Sequence, residues 1–139
     1  MINAAIVGLG WWGKTLVEAA QNSDDIRFVS GATRTISPEA KAFADEQKLR
    51  LVENYEALLA DPNLDAVVLA APHAVHARQV IAAAKAGKHI FCEKPFALTH
   101  ASADAAVRAA RQVRVVVAAG FNRRFRPALQ EIKRMVAAG

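Results

Sequence analysis

The sequence predicts an α/β fold, a doubly wound parallel sheet of six strands with helices on both faces, and three observations carry that prediction. Apolar strand-like runs alternate with helical patterns along all 139 residues. Runs such as Ala66-Val67-Val68-Leu69-Ala70 and Val115-Val116-Val117 lack polar alternation. That pattern fits strands covered on both faces, the condition of a parallel sheet between helices. A glycine-rich turn, Gly8-Leu9-Gly10-Trp11-Trp12-Gly13, joins the first apolar run to the first helical segment.

The elements follow in order. Residues 2–7 form the opening apolar strand, and 12–21 the helix that leaves the glycine turn. Strand 27–32 is followed by helix 38–47, which Ser37 can cap with Pro38 at its first position. A short strand at 50–52 and a short helix at 55–59 lead to the unbroken apolar run at 66–70. Helix 75–86 ends at Gly87, where a C-terminal cap belongs. Strand 89–92, helix 100–112, strand 115–119 and helix 127–138 complete the alternation. No internal repeat, low-complexity tract or linker interrupts it, so the chain reads as one domain with a real hydrophobic core.

Composition narrows the class. Apolar residues make up 53% and aromatic ones 6%, and alanine supplies much of the apolar share, as suits helices packed closely on a sheet. No run approaches the ~20 apolar residues of a membrane span, and no basic stretch followed by an apolar one marks a secretory signal. Cys92 is the sole cysteine, which forbids an internal disulfide and suits a reducing compartment. A soluble, cytoplasmic protein is expected. The net charge of +5 is spread, its densest group being Arg123, Arg124, Arg126, Lys133 and Arg134. Without a nucleic-acid motif, that group reads as a solvated or anion-facing edge rather than a DNA or RNA surface.

Strand, glycine turn and helix in that order form a dinucleotide-binding fingerprint of the Rossmann type. Gly8 permits the tight turn, Gly10 lets the backbone approach a pyrophosphate, and Gly13 lets the helix pack close to the strand. Unpaired amides at the helix start face the phosphate charge. A fold that prefers NAD places an acid at the end of the second strand, about 20 residues beyond the glycines. Here Thr33 takes that position and Arg34 follows, while Asp24 and Asp25 lie at the strand's other end. A carboxylate would repel a 2′-phosphate, whereas a hydroxyl and a guanidinium can bind it. NADP(H) is therefore favoured over NAD(H).

Three further motifs follow strands, on the edge where open α/β sheets bind ligands. They are Ala71-Pro72-His73-Ala74-Val75-His76, Glu93-Lys94-Pro95 and Gly120-Phe121-Asn122-Arg123-Arg124-Phe125-Arg126-Pro127. With the glycine turn, the chain resembles the N-terminal cofactor domain of the glucose-fructose oxidoreductase / inositol dehydrogenase (Gfo/Idh/MocA) family over essentially its whole length. The resemblance implies an NAD(P)-dependent oxidoreductase that moves hydride between a nicotinamide and a sugar, polyol or related hydroxy compound. It places Gly8, Leu9, Gly10, Trp11, Trp12 and Gly13 near the pyrophosphate. It places Ala71, Pro72, His73 and His76, on the family's Pro-Asn-x-x-His stretch, among the cofactor-binding residues, and His73 departs from the common asparagine. Glu93 and Lys94 fall where the family positions the nicotinamide and a substrate hydroxyl, and Asn122 and Arg123 fall beside the nicotinamide ring.

The chemistry of those residue types agrees. Hydride leaves a carbinol carbon readily only as its hydroxyl loses a proton. Lys94, the candidate catalytic residue, can hold the developing alkoxide, and Glu93 can orient the lysine or hold the nicotinamide ribose. His76 reads as packed or capping rather than catalytic, and Cys92 as a small buried hydrophobe rather than a nucleophile. His89 and His100 read as strand-edge and helix-start residues. No Cys, His and carboxylate cluster has metal-ligand spacing, and no Gly-x-Ser-x-Gly elbow points to a hydrolase.

The resemblance also implies a second, substrate-binding domain with an acid/base histidine, which these residues do not supply. The face that would meet it, around Phe96, Phe121 and Phe125, is expected to be exposed and to favour self-association into a homo-oligomer. A non-catalytic module that senses dinucleotide is the alternative, because this fold serves regulation as well as catalysis.

Overall fold

A computed structural model describes residues 1–20 and 22–139. The order is β1 (Ile2–Val7), α1 (Trp11–Ala20), β2 (Ile26–Ala32), α2 (Pro38–Glu46), β3 (Arg50–Val52), α3 (Tyr55–Leu59), β4 (Ala66–Leu69), α4 (His76–Lys85), β5 (His89–Cys92), α5 (His100–Gln112), β6 (Val117–Ala119) and α6 (Pro127–Ala138). Single 3-10 turns, His73–Val75 and Asn122–Phe125, precede α4 and α6. Gln21, the last residue of the predicted first helix, lies outside the described residues.

All six strands are parallel, in the order β3-β2-β1-β4-β5-β6. The chain first winds outward from β1 through β2 to β3, then crosses back to β4 and winds the other way. Strand order reverses between β1 and β4, the point at which open sheets leave a crevice beyond their carboxyl ends.

Successive side chains on a strand point to opposite faces, and this splits the core into two layers. Ala5, Val7, Val67 and Leu69 face one way and pack with Leu58 of α3, Val80 and Ala83 of α4, and Ala106 and Ala110 of α5. Ile6 and Val68 face the other way, onto Val17 of α1 and Ala40, Phe43 and Ala44 of α2. Alanines at the helix contacts bring those helices close to the sheet. Both faces of β1 and β4 are buried, which is why neither alternates in polarity.

Local signals end the elements where the sequence places them. The Ser37 hydroxyl accepts from the Ala40 amide at 3.2 Å, with Pro38 opening α2. After α4, Gly87 adopts φ +73°, and its amide and that of Lys88 bond to the carbonyls of Ala84 and Ala83. Those two bonds close the helix in a Schellman motif. Thr99 caps α5 in a reciprocal capping box with Ser102.

Several boundaries differ from expectation by one residue and one by two, and two of them have identifiable reasons. The sixth strand starts at Val117 rather than Val115, because the Val115 amide bonds back to the Ala110 carbonyl of α5 and the Val116 amide to His89 Nδ1. His89 thus has a partner at the edge of β5. The fourth helix starts at His76, since Val75 belongs to the 3-10 turn before it.

Replacing Leu69, fully buried beside Val7 and Cys92, with alanine should cost about 2–5 kcal/mol. Urea denaturation followed by circular dichroism measures this, and an unchanged midpoint would contradict the core described.

Candidate functional site

The strands finish level at one edge of the sheet. Beyond their carboxyl ends, Gly8 N–H donates to Ala32 O at 2.8 Å and Ala70 N–H to Val7 O at 2.9 Å. Glu93 N–H donates to Leu69 O at 3.0 Å and Gly120 N–H to Cys92 O at 2.8 Å. The predicted site residues lie in the loops just past these bonds. Across the sheet they run from Thr33 and Arg34 after β2, to the glycine turn after β1, to Ala71, Pro72 and His73 after β4. Glu93 and Lys94 follow β5, and Asn122 and Arg123 follow β6. From β2 to β5 is three strand spacings, about 14 Å.

The glycine turn is shaped by two close approaches. Gly8 has φ +99°, and a Cβ there would lie 2.7 Å from the Ala70 carbonyl oxygen. A Cβ on Gly13 would overlap the Gly8 carbonyl oxygen, so α1 comes as near to the end of β1 as a backbone can. Above Gly10 nothing lies within 4 Å of such an atom, which leaves that backbone open to a ligand. The first intrahelical bond runs from Lys14 N–H to Gly10 O at 3.1 Å. The amides at 11–13 precede it and have no carbonyl within the helix to bond.

Side chains of the turn divide. Leu9 is buried in the layer beneath α1 and α2, so it contributes only its backbone to the open edge. Trp11 is 79% exposed and leans on Trp12, with ring centroids 5.4 Å apart. Trp12 is half-buried, and its indole N–H is shielded from solvent with no acceptor among the described residues. A buried donor without an acceptor is costly. Open backbone at Gly10 and the leading amides at 11–13 together fit a dinucleotide.

Past β4, Pro72 and His73 are exposed, but His76 is fully buried. His76 Nε2 lies 2.8 Å from Ala71 O and Nδ1 2.8 Å from Pro95 O. The expectation that it touches cofactor is therefore corrected: its ring is sealed beneath the loops. Nor does it cap α4, since neither ring nitrogen bonds an α4 amide.

Past β5, Glu93 is 7% exposed and its Oε2 accepts from the Lys94 amide at 3.2 Å. Its carboxylate lies over Gly120, where a Cβ would come within 2.6 Å of Oε1. Sequence reasoning assigned Gly120 no role, because its reason for being glycine sits 27 residues away. Lys94 is exposed and its ammonium forms no ion pair among the described residues. An open, largely apolar cleft of about 540 Å³ lies beside it, lined by Pro95, Phe96, Leu98, Thr99 and Phe121. Asn122 and Arg123 are exposed on the 3-10 turn past β6.

Thr33 and Arg34 lie in the β2–α2 loop, with Arg34 exposed and in no ion pair among the described residues. Among the described residues, no group of three or more His, Cys, Asp and Glu is arranged to hold a metal, and no helix is long and apolar enough to cross a membrane.

Known proteins share this fold. A family model, GFO_IDH_MocA, an oxidoreductase family with an NAD-binding Rossmann fold, matches residues 2–121. Myo-inositol 2-dehydrogenase of Thermotoga maritima is 34% identical over 138 residues, spanning 96% of this chain and 40% of that protein. The structure of scyllo-inositol dehydrogenase from Lactobacillus casei with NAD(H) and scyllo-inositol superposes with a TM-score of 0.89 at 26% identity, over all of this chain and 42% of that one. KijD10, a 3-ketoreductase from Actinomadura kijaniata solved with TDP-benzene and NADP, gives 0.90 at 25% identity, over 99% and 44%. The chain thus spans about 40% of the length of the proteins it matches.

Cys92 ends β5 fully buried, and burial, then the charge of Glu93, pushes its thiol up to about 12. Burial likewise raises the Tyr55 phenol, whose hydroxyl donates to Gln79 O at 2.8 Å. Both groups hold their protons more tightly folded than unfolded, so they favour the native state below pH 9. The Cys92 contribution falls as pH rises from about 9 to 12, and that of Tyr55 falls over a higher range that begins at about 10. Cys92 should resist a disulfide reagent such as dithionitrobenzoate at pH 8 and react at once in denaturant. Fast labelling of native protein would contradict its placement.

Proposed function

This chain belongs to the Gfo/Idh/MocA oxidoreductase family as its NAD(P)-binding Rossmann domain, and from that premise we propose that it serves hydride transfer between a nicotinamide coenzyme and a sugar, polyol or related hydroxy compound. One observation carries the reading: a glycine turn pressed between α1 and β4, with open backbone at Gly10, at the switch point of the sheet. Relatives that bear the names of inositol dehydrogenases support the polyol class.

In this reading the pyrophosphate lies against the amides at 11–13, where the N-terminal end of the α1 dipole favours negative charge. Thr33 and Arg34 take the adenosine ribose, and the guanidinium takes a 2′-phosphate, which makes NADP(H) the preferred coenzyme. Pro72 and His73 flank the middle of the site. Asn122 and Arg123 border the nicotinamide, which when bound gives or accepts a hydride at C4.

Lys94 holds the substrate oxygen. Its ammonium is in no ion pair among the described residues and lies next to the open cleft, so it can donate to an alkoxide as charge develops there. Glu93 does not face the cleft as a base; it braces the lysine's backbone through the 3.2 Å bond from the Lys94 amide. The cleft is open to water, and hydride transfer is protected when water is excluded. A substrate domain bearing an acid/base histidine completes the pocket in this proposal.

The apolar surface points to association. Phe121, Phe125, Leu129, Ile132, Met135 and Val136 are all exposed on or next to α6, which buries none of its side chains. Sedimentation equilibrium should find dimers or larger species at high concentration, and a monomer throughout would count against this.

Calorimetric titration tests the coenzyme assignment. NADPH should bind more tightly than NADH, and Arg34→Ala should weaken NADPH about tenfold, the worth of one charge-assisted bond, with NADH little changed. Tighter NADH binding by the wild type would overturn the NADP(H) preference. No uptake of either coenzyme would overturn the function.

A further inference from the structure

Among the described residues His76 is the one fully buried ionisable ring beneath the site edge, and nothing about its own helix requires it. An apolar side chain would fill that volume without the cost of burying two ring nitrogens. Its contacts explain the choice. Nε2 lies 2.8 Å from the carbonyl oxygen of Ala71 and Nδ1 2.8 Å from that of Pro95. One ring nitrogen donates in the neutral imidazole and both donate in the imidazolium. Both partners are carbonyl oxygens that only accept, so the two contacts are both hydrogen bonds when both ring nitrogens donate, and a single rigid ring then spans two loops that leave neighbouring strands.

Both loops belong to the site. Ala71 immediately precedes Pro72 and His73, and Pro95 immediately follows Lys94. On its other side the Lys94 amide donates to Glu93 Oε2, and the Glu93 carboxylate rests on Gly120 beyond β6. The backbone of Lys94 is therefore held at the residue before it and at the residue after it. The two holds join in one chain of contacts from the β4 loop to the β6 loop.

We infer that His76 is a positioning residue: its imidazole ties the carbonyl of Ala71 to that of Pro95 and so sets the Lys94 loop against the coenzyme-binding loop after β4. The role rests on the coenzyme reading above, so the test needs one readout with coenzyme and one without.

Amide hydrogen exchange on the free chain and fluorescence titration with NADPH supply them, on wild type, His76→Ala, His76→Gln and Val80→Ala. Val80 is equally buried one turn along α4 and serves as the packing control. His76→Ala should speed exchange at 71–75 and 94–98 together and weaken NADPH binding about tenfold per folded molecule, on the scale of a lost hydrogen bond. His76→Gln, whose amide can still donate, should recover part of both. Val80→Ala should lower the melting temperature and change neither loop exchange nor affinity.

The inference is overturned if His76→Ala leaves the two segments as in wild type, or loosens them with no change in affinity. It is equally overturned if Val80→Ala weakens binding as much. A wild type that takes up no NADPH removes the coenzyme reading itself, while exchange at 71–75 and 94–98 still reports whether the ring ties the loops. Should the His76 variants fail to fold, the wild-type imidazole N–H is the readout. Slow exchange with water, slowed further by NADPH, supports the tie, and an N–H that exchanges freely or ignores NADPH overturns it.

Discussion

Parallel strands buried on both faces must satisfy every backbone amide and carbonyl within the ladder, because no water reaches them. In this chain the ladder extends one residue past β1, β4, β5 and the edge strand β6. Gly8, Ala70, Glu93 and Gly120 each donate to the neighbouring strand's last carbonyl. Four loops are thereby anchored at the same height along one edge. The position of each site residue follows from that ladder: Thr33 and Arg34, the glycine turn, Lys94 and Asn122 come from distant parts of the sequence and lie side by side because their strands do.

Close approach then converts the edge into a site. Gly8 and Gly13 exclude side chains where β1, β4 and α1 meet, and the absence of Cβ atoms exposes helix-leading amides instead of covering them. Gly120 makes room in the same manner for the carboxylate of Glu93. The polar groups behind Lys94 are paired with one another rather than with solvent, which holds the loop while leaving the ammonium free. Surface charge plays a smaller part: the basic residues around Arg123 and Arg126 are solvated, and exposed ion pairs such as Arg134 with Glu131 stabilise little.

Much of this was legible in the residues themselves. The unbroken apolar run at 66–70 marked a covered strand, Ser37-Pro38 and Gly87 marked helix ends, and the glycine spacing marked the turn; the run at 115–117 instead leads into the edge strand β6, with Val116 exposed. Short-range chemistry writes these features, so a short stretch of sequence reveals them. Other features were hidden because their cause lies far along the chain. The His76 ring bonds a carbonyl 19 residues on, Gly120 is small for the sake of Glu93, and Val116 leaves the strand to bond His89. Lys88 hides its ammonium on the carbonyls of Asp61 and Leu64, which no periodicity announces. The His76 ring stood among the expected cofactor contacts because its motif position does; burial moves it one layer behind them.

The account rests on exposed main-chain donors at the Gly8–Gly13 turn accepting a diphosphate. Nitrogen-15 amide spectra of the chain titrated with NADPH test this most directly. Saturable shifts should be largest at Gly10, Trp11, Trp12 and Gly13, with the Trp12 indole N–H moving in step. Saturable binding that leaves those resonances unmoved while shifting others, or no shift anywhere, would contradict it.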